Sequence, residues 1–287
     1  MSAENQSFTV LGAAGFIGAS LVATLEERGH IVHAVTRASL PALFAARRRV
    51  GHVIDCIGLT GDFRVRPLST AEAHVGLVAR CLSDLRLDSF LLLSSTRVYA
   101  RGTATYEDAA LPTLPADPSD LYNLTKLAGE ALCLSDPRPT IRVARLSNVY
   151  GRGIPATTFV GQVLEDGFRT GRVVLQQRAD SAKDYISLDL VSRILPMIAT
   201  TASHRLYNVA AGINTTHEQI AKALHTIAGW EISFVNNAVS VRNLPIETSR
   251  IRTEFGASTC SLIADLPGLI PLEQVDQCSP STSCLAA

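Results

Sequence analysis

Between an apolar run at residues 8–11 and the start of a helical pattern, this chain carries Gly12, Gly15 and Gly18, with two residues between neighbours. Glycines so spaced let the backbone turn tightly, let it approach an anion closely, and let the following helix pack on the strand. The first-turn N–H groups, here those around Phe16 and Ile17, then face a pyrophosphate. The stretch therefore predicts a dinucleotide cradle with Gly12, Gly15, Phe16, Ile17 and Gly18 as cofactor contacts. A helix over 19–28 with Gly29 as its stop, then a second strand over 31–35, supply the context such a cradle needs.

The end of that second strand bears on which dinucleotide is held. An acidic residue there binds the adenosine ribose hydroxyls, whereas a basic one accommodates a 2′-phosphate. The chain has Thr36-Arg37 and no acid, so NADP is expected in preference to NAD, with Arg37 as the phosphate reader. From 38 to 50 a short helix-like piece leads through Arg47-Arg48-Arg49 into an apolar strand over 52–58. That is too little chain for the helix, strand and turns a doubly wound half ordinarily holds, so one sheet element is expected to be shortened or missing.

Further along, the small-residue patch Gly58-Leu59-Thr60-Gly61 would let a cofactor lie across the strand ends. A long helix over 70–87 follows, then a buried strand over 90–93 that runs into Ser94-Ser95-Thr96-Arg97-Val98-Tyr99. Apolar runs alternating with helical ones predict an α/β fold: a Rossmann-type, doubly wound parallel sheet with helices on both faces. Ligands of such sheets sit beyond the carboxyl ends of the strands, where these hydroxyls fall. Next, Asp117-Pro118-Ser119-Asp120 opens a helix that puts Tyr122 and Lys126 on one face, four residues apart. A neighbouring ammonium favours the phenolate and would lower the tyrosine from its usual pKa of about 10. Such a tyrosine can exchange a proton with an alcohol or ketone while a nicotinamide exchanges the hydride.

Composition narrows the classes. Lysine plus arginine equals aspartate plus glutamate, 26 against 26, so no global field argues for nucleic acid or an acidic membrane. No apolar run reaches membrane-span length and the N-terminus has no signal-peptide pattern, which predicts a cytosolic protein. Cys56, Cys81, Cys133, Cys260, Cys278 and Cys284 show no Cys-x-x-Cys spacing and read as free thiols, with no metal site. Residues 1–150 are expected to form the cofactor domain, with later segments returning to it. Residues 151–270 would form mainly a small, interleaved substrate domain, with a helix within 152–171, a strand over 173–175, and a helix over 188–199 disturbed by Pro196. Helices over 215–228 and from 251 follow, and 271–287 reads as a disordered tail.

Over residues 8–269 the chain resembles the extended short-chain dehydrogenase/reductase family, which includes nucleotide-sugar epimerases, dehydratases and reductases. The likeness rests on Gly12-x-x-Gly15-x-x-Gly18, Ser94-Ser95-Thr96-Arg97-Val98-Tyr99, Tyr122-x-x-x-Lys126, Arg145-Leu146-Ser147-Asn148-Val149-Tyr150-Gly151, Lys183-Asp184-Tyr185-Ile186 and Tyr207-Asn208-Val209. It implies that Ser95 hydrogen-bonds the substrate oxygen, Tyr122 is the acid/base, and Lys126 holds the nicotinamide ribose while tuning the tyrosine. It implies substrate contacts from Thr96, from Asn148 near a diphosphate, from Lys183 where relatives often carry an arginine, and from Arg242 as a further phosphate contact. His74 falls where many relatives have an asparagine; a changed structural support and a helix-surface histidine are the two readings. Dehydrating members place an acidic pair just after the catalytic serine or threonine, whereas this chain has Thr96-Arg97. The resemblance thus implies an NADP(H)-dependent reductase of a keto group on a nucleotide-linked sugar or related intermediate. An NAD(P)-dependent epimerase is the alternative, and a non-catalytic NADP(H)-sensing protein on the same fold a second one. The helices over 70–87 and 121–134 correspond to those that pair in dimeric relatives, so a homodimer is expected.

Overall fold

The computed structural model describes residues 5–58, 61, 63–256 and 260–270. Leu59, Thr60, the 271–287 tail and its two cysteines lie outside them. The apolar run forms β1 (Ser7–Leu11), with Phe8, Thr9, Val10 and Leu11 buried on both faces as a central parallel strand requires. α1 (Phe16–Glu27) begins three residues earlier than periodicity indicated, because Gly15 is itself its N-cap, and the chain leaves it through Gly29 at φ +80°. There follow β2 (Ile31–Val35), α2 (Leu40–Ala45) and β3 (His52–Asp55). The long helix expected over 70–87 is α3 (Pro67–Ala71) and α4 (Leu77–Asp84), joined by a π-turn at Glu72–Gly76. β4 (Ser89–Ser95), α5 (Leu121–Ser135) and β5 (Ile141–Leu146) complete the first half.

β6 (Asn148–Tyr150), α6 (Phe159–Thr170), β7 (Arg172–Gln177) and β8 (Ala182–Ser187) precede α7 (Leu188–Thr201) and β9 (Leu206–Val209). After them come β10 (Asn214–Thr216), α8 (His217–Ala228), β11 (Glu231–Val239), α9 (Ser249–Phe255) and α10 (Leu262–Leu269). Pro196 does not disturb α7, contrary to its local propensity. Val191, Leu195, Ile198 and Ala199 are fully buried against α1 and the sheet, and that packing outweighs one lost backbone bond.

The main sheet runs β2-β1-β3-β4-β5-β9, every pair parallel. A doubly wound sheet of order 3-2-1-4-5-6 carries a further strand outside the second. Among the described residues β2 is the edge instead, so the shortening expected after Arg37 is the loss of that outer strand and its crossover helix. One face of the sheet is covered by α1 and α7, around Leu21, Leu25, Val191 and Leu195. The other is covered by α4 and α5, through Val78, Cys81 and Cys133. A separate core of Val160, Leu164, Leu224, Trp230 and Leu266 holds α6, α8 and α10 together beside the small sheets β10-β8-β6 and β11-β7. Cys56, Cys81, Cys133 and Cys260 are free thiols. No helix among the described residues is long and apolar enough to cross a membrane.

Candidate active site

The glycine turn is tied to the end of β2: the N–H groups of Gly12 and Ala13 both donate to the Val35 carbonyl, at 2.9 and 3.1 Å. Gly12 has φ +77°, and a Cβ on Gly18 would overlap the Gly12 carbonyl oxygen, so α1 abuts the turn only because that side chain is absent. No side chain caps α1, which leaves its first-turn N–H groups, with Phe16 and Ile17, to an anion. The cradle fits a dinucleotide diphosphate. Arg37 lies two residues beyond Val35, exposed, and without a hydrogen bond or ion pair to any described residue.

Ser95 ends β4, where its hydroxyl accepts the Arg97 N–H at 3.2 Å and lies near enough to the phenol of Tyr122 to favour its phenolate. Tyr122 reaches it because Asp120 fixes the start of α5. The Asp120 carboxylate accepts the Leu114 N–H at 2.7 Å and the Asn123 amide at 3.1 Å, and binds Arg101 at 2.6 Å. One turn along, Lys126 is buried and its Nζ donates to the Leu93 carbonyl at 2.9 Å, 6.0 Å from the centre of the Tyr122 ring. Burial raises the Tyr122 phenol above its ordinary value, and the Ser95 hydroxyl and the Arg97 charge only partly offset it. The lowered tyrosine expected from Lys126 is therefore corrected: desolvation outweighs the cations, and the cation that acts on the phenol is Arg97. Lys126 is itself pushed down to about 8 by burial, against the opposing charges of Asp55 and Glu130.

His74 is no surface residue. It sits in the π-turn, 1 % exposed, with Nδ1 2.9 Å from the Thr125 hydroxyl and its ring edge-on to Tyr122 at 5.3 Å. Burial, then the Lys126 charge, press it down to about 3, so it is neutral. Asp55, which the sequence reading passed over, lies fully buried at the end of β3 and accepts the Ile57 N–H at 3.0 Å. Burial pushes its carboxyl up to about 6. The one available signal was an acid inside the apolar run Val53-Ile54-Asp55-Cys56-Ile57.

On the substrate side, β6 and β8 pair in parallel and bring Asn148 and Lys183 to one end of the small sheet. The Asn148 amide donates to the Asp184 carbonyl at 2.8 Å, and the Lys183 ammonium lies 5.3 Å over the Phe159 ring. Thr96 opens the 3-10 turn that follows Ser95. Arg242 bridges to Ala182 beside Lys183, but its guanidinium is bound to the Asp180 carboxylate at 2.7 Å and does not stand free for a phosphate. Sequence reasoning also missed Phe63, which is buried and packs on Tyr122 with ring centres 5.5 Å apart.

A family model described as NAD dependent epimerase/dehydratase family matches residues 8–210. No curated protein sequence matches the chain. Among solved structures, MoeE5 in complex with UDP-glucose and NAD is similar over 94% of this chain and 99% of its own, at 21% identity and a TM-score of 0.77. RMD from Pseudomonas aeruginosa complexed with NADPH is similar over 95% and 98%, at 20% identity and a TM-score of 0.76. A UDP-glucuronic acid 4-epimerase mutant from Bacillus cereus, with a fluorinated UDP-glucuronic acid and NAD, is similar over 94% and 99%, at 18% identity and a TM-score of 0.74.

Proposed function

This chain belongs to the NAD dependent epimerase/dehydratase family, and we propose that it reduces a keto group on a nucleotide-linked sugar with NADPH, the proton coming from Tyr122. It is an NAD(P)-dependent enzyme of the extended short-chain dehydrogenase/reductase type. The observation that supports the reaction is the proximity of the Ser95 hydroxyl, at the carboxyl end of β4, to the Tyr122 phenol, with Lys126 one turn away on α5. When bound, the nicotinamide supplies the hydride. Ser95 orients the substrate carbonyl and Tyr122 releases its proton to that oxygen. Lys126 has three N–H donors; one is spent on Leu93, and the others are left for the ribose hydroxyls. Asn148 and Lys183 would hold the diphosphate, with Thr96 beside the sugar. Thr96-Arg97 offers no acid and base for elimination of water, which argues against dehydration.

The choice of NADPH rests on Arg37, an exposed guanidinium with no ion pair to a described residue, where an NAD site carries a carboxylate. Solved structures of this fold contain NAD in MoeE5 and NADPH in RMD, so the second reading is an epimerase that keeps NAD bound. A homodimer through α3, α4 and α5 is part of the same proposal, with Leu132 and Leu134 on α5 part-exposed at 37% and 36%. The test is to record whether purified protein carries a nicotinamide, then to titrate NADPH and NADH by fluorescence into the wild type and Arg37→Ala. A cofactor-free protein that prefers NADPH, with the preference lost in Arg37→Ala, supports the reductase. Retained NAD, or an NADH preference, moves the epimerase to first place.

A further inference from the structure

The wall of the site around Tyr122 is cationic, and among the described residues no acid forms an ion pair with it. Arg97 is half-buried, and its side chain makes one protein hydrogen bond, from Nη2 to the Ser119 carbonyl at 3.2 Å. Its Nε and Nη1 donate to no described residue. The guanidinium lies 5.3 Å from the centre of the Tyr122 ring and 4.9 Å from that of Phe63. Arg64 stands 4.4 Å over the same Phe63 ring and donates to the Ser119 hydroxyl at 3.0 Å. Lys183, over Phe159, is close enough that the Arg97 charge presses its ammonium down, after burial. None of these three cations forms an ion pair with a described residue. The described acids whose charge acts on Arg97, Asp120 and Asp117, are both bound by Arg101.

Arg97 and Lys183 are half-buried and Arg64 is exposed beside Arg97; half-buried charges without an ion pair to a described residue are costly, so their convergence implies an anion in the working complex. Resting on the nucleotide-sugar reading above, we infer that the sugar end of the substrate carries a carboxylate, read by Arg97 with Arg64 flanking it, while Lys183 stays with the diphosphate. Two features favour the sugar over the diphosphate as the bearer of that charge. Arg97 lies over the ring of Tyr122, whose hydroxyl must meet the substrate's reacting oxygen, so a group on Arg97 lies within a few bonds of the reacting carbon. The Nε hydrogen and both Nη1 hydrogens, which no described residue accepts, also remain to donate to a carboxylate. Arg97 stands immediately after Ser95-Thr96, so the residue that withholds an acid from elimination would here select an acidic sugar.

Two readouts separate this inference from the reading beneath it. In the first, UDP-glucuronate, UDP-glucose and UDP are titrated into cofactor-saturated wild type, Arg97→Met and Arg97→Lys. The expected result is about tenfold tighter binding of the glucuronate than of the glucoside by the wild type, a preference lost in Arg97→Met and partly restored in Arg97→Lys. Equal affinities in the wild type, or an equal loss of both sugars in Arg97→Met, overturns the carboxylate reader. If UDP and both sugars fail to bind, the nucleotide-sugar reading falls. The second readout still decides the carboxylate: phenylglyoxal labelling of Arg97 in the wild type, mapped by mass spectrometry. Protection by tens of millimolar D-glucuronate but not by D-glucose supports the reader, consistent with a weak isolated ion contact. Equal protection, or none, overturns it.

Discussion

The guanidinium of Arg97 lies 5.3 Å from the centre of the Tyr122 ring, nearer than the Lys126 ammonium at 6.0 Å. Lys126 directs a hydrogen to the Leu93 carbonyl, whereas Arg97 and the Ser95 hydroxyl are what favour the Tyr122 phenolate against burial. Removal of a cation disfavours the charged form of the phenol, so Arg97→Met should raise the Tyr122 pKa further. Ultraviolet difference titration of the substrate-free protein, with Tyr122→Phe subtracted to isolate this phenol, should show the midpoint move to higher pH in Arg97→Met. Lys126→Met should move it less. The reverse ranking would return the electrostatic role to Lys126.

Tyr122→Phe removes the proton donor and keeps the ring that packs on Phe63 and His74. Turnover should fall by roughly 10²–10⁴-fold, the range of a single general acid. The cofactor cradle, built by the 12–18 turn, and Lys126 with its bond to Leu93 do not depend on the hydroxyl. Cofactor affinity, followed by fluorescence, should therefore stay within about twofold, well under the 1.4 kcal/mol that a tenfold change represents. Unchanged turnover would remove Tyr122 from the chemistry.

What the sequence made legible is what short spacing encodes. Gly12, Gly15 and Gly18 impose their turn within seven residues, and Tyr122 and Lys126 share a face because one helical turn separates them. The shortened stretch after Arg37 was visible as a simple shortage of chain. By contrast, the environment of Arg97 is assembled from residues 63–64, 119, 122 and 183, which no local pattern connects. The direction of the Tyr122 shift was misjudged for the same reason, since desolvation is a property of the packed structure. Pro196 misled in the opposite sense: a sound local rule yielded to the burial of α7. The π-turn at His74 was illegible because one extra residue in a turn barely alters an apolar stripe.

Gly18→Ala should separate cofactor binding from the chemistry. Its Cβ would overlap the Gly12 carbonyl oxygen, which is backbone and cannot swing aside, so the helix start must move off the turn. Overpacking of this kind costs about 1–3 kcal/mol, which should appear as a lower Tm. The displaced first-turn N–H groups should also weaken dinucleotide binding by about tenfold or more, since close backbone approach to the phosphates is what the glycine permits. Wild-type cofactor affinity in the variant would mean that the diphosphate lies elsewhere.

His74 and His217 should make the protein sensitive to mild acid. Burial presses both down, to about 3 and about 4, helped by the charges of Lys126 and Lys183 respectively. The unfolded chain takes up these protons near pH 6.5 and the folded one does not, so stability is full above that pH and is lost as the pH falls below it. Each histidine contributes a slope of about 1.4 kcal/mol per pH unit until its own folded pKa is reached. Asp55 works against them. Its carboxyl is raised to about 6, so between that pH and its ordinary value of 3.8 the folded protein binds the extra proton and gains stability as pH falls. The net loss in that window is therefore smaller than two histidines alone would give. His74→Asn keeps a polar partner for the Thr125 hydroxyl, which His74 meets at 2.9 Å, and removes one titrating group. Urea unfolding from pH 7 to 4.5 should show a shallower loss of stability in His74→Asn than in the wild type. Parallel curves would mean that the His74 ring is protonated in the folded protein, and that its edge-on contact with Tyr122 brings a positive charge to the catalytic phenol.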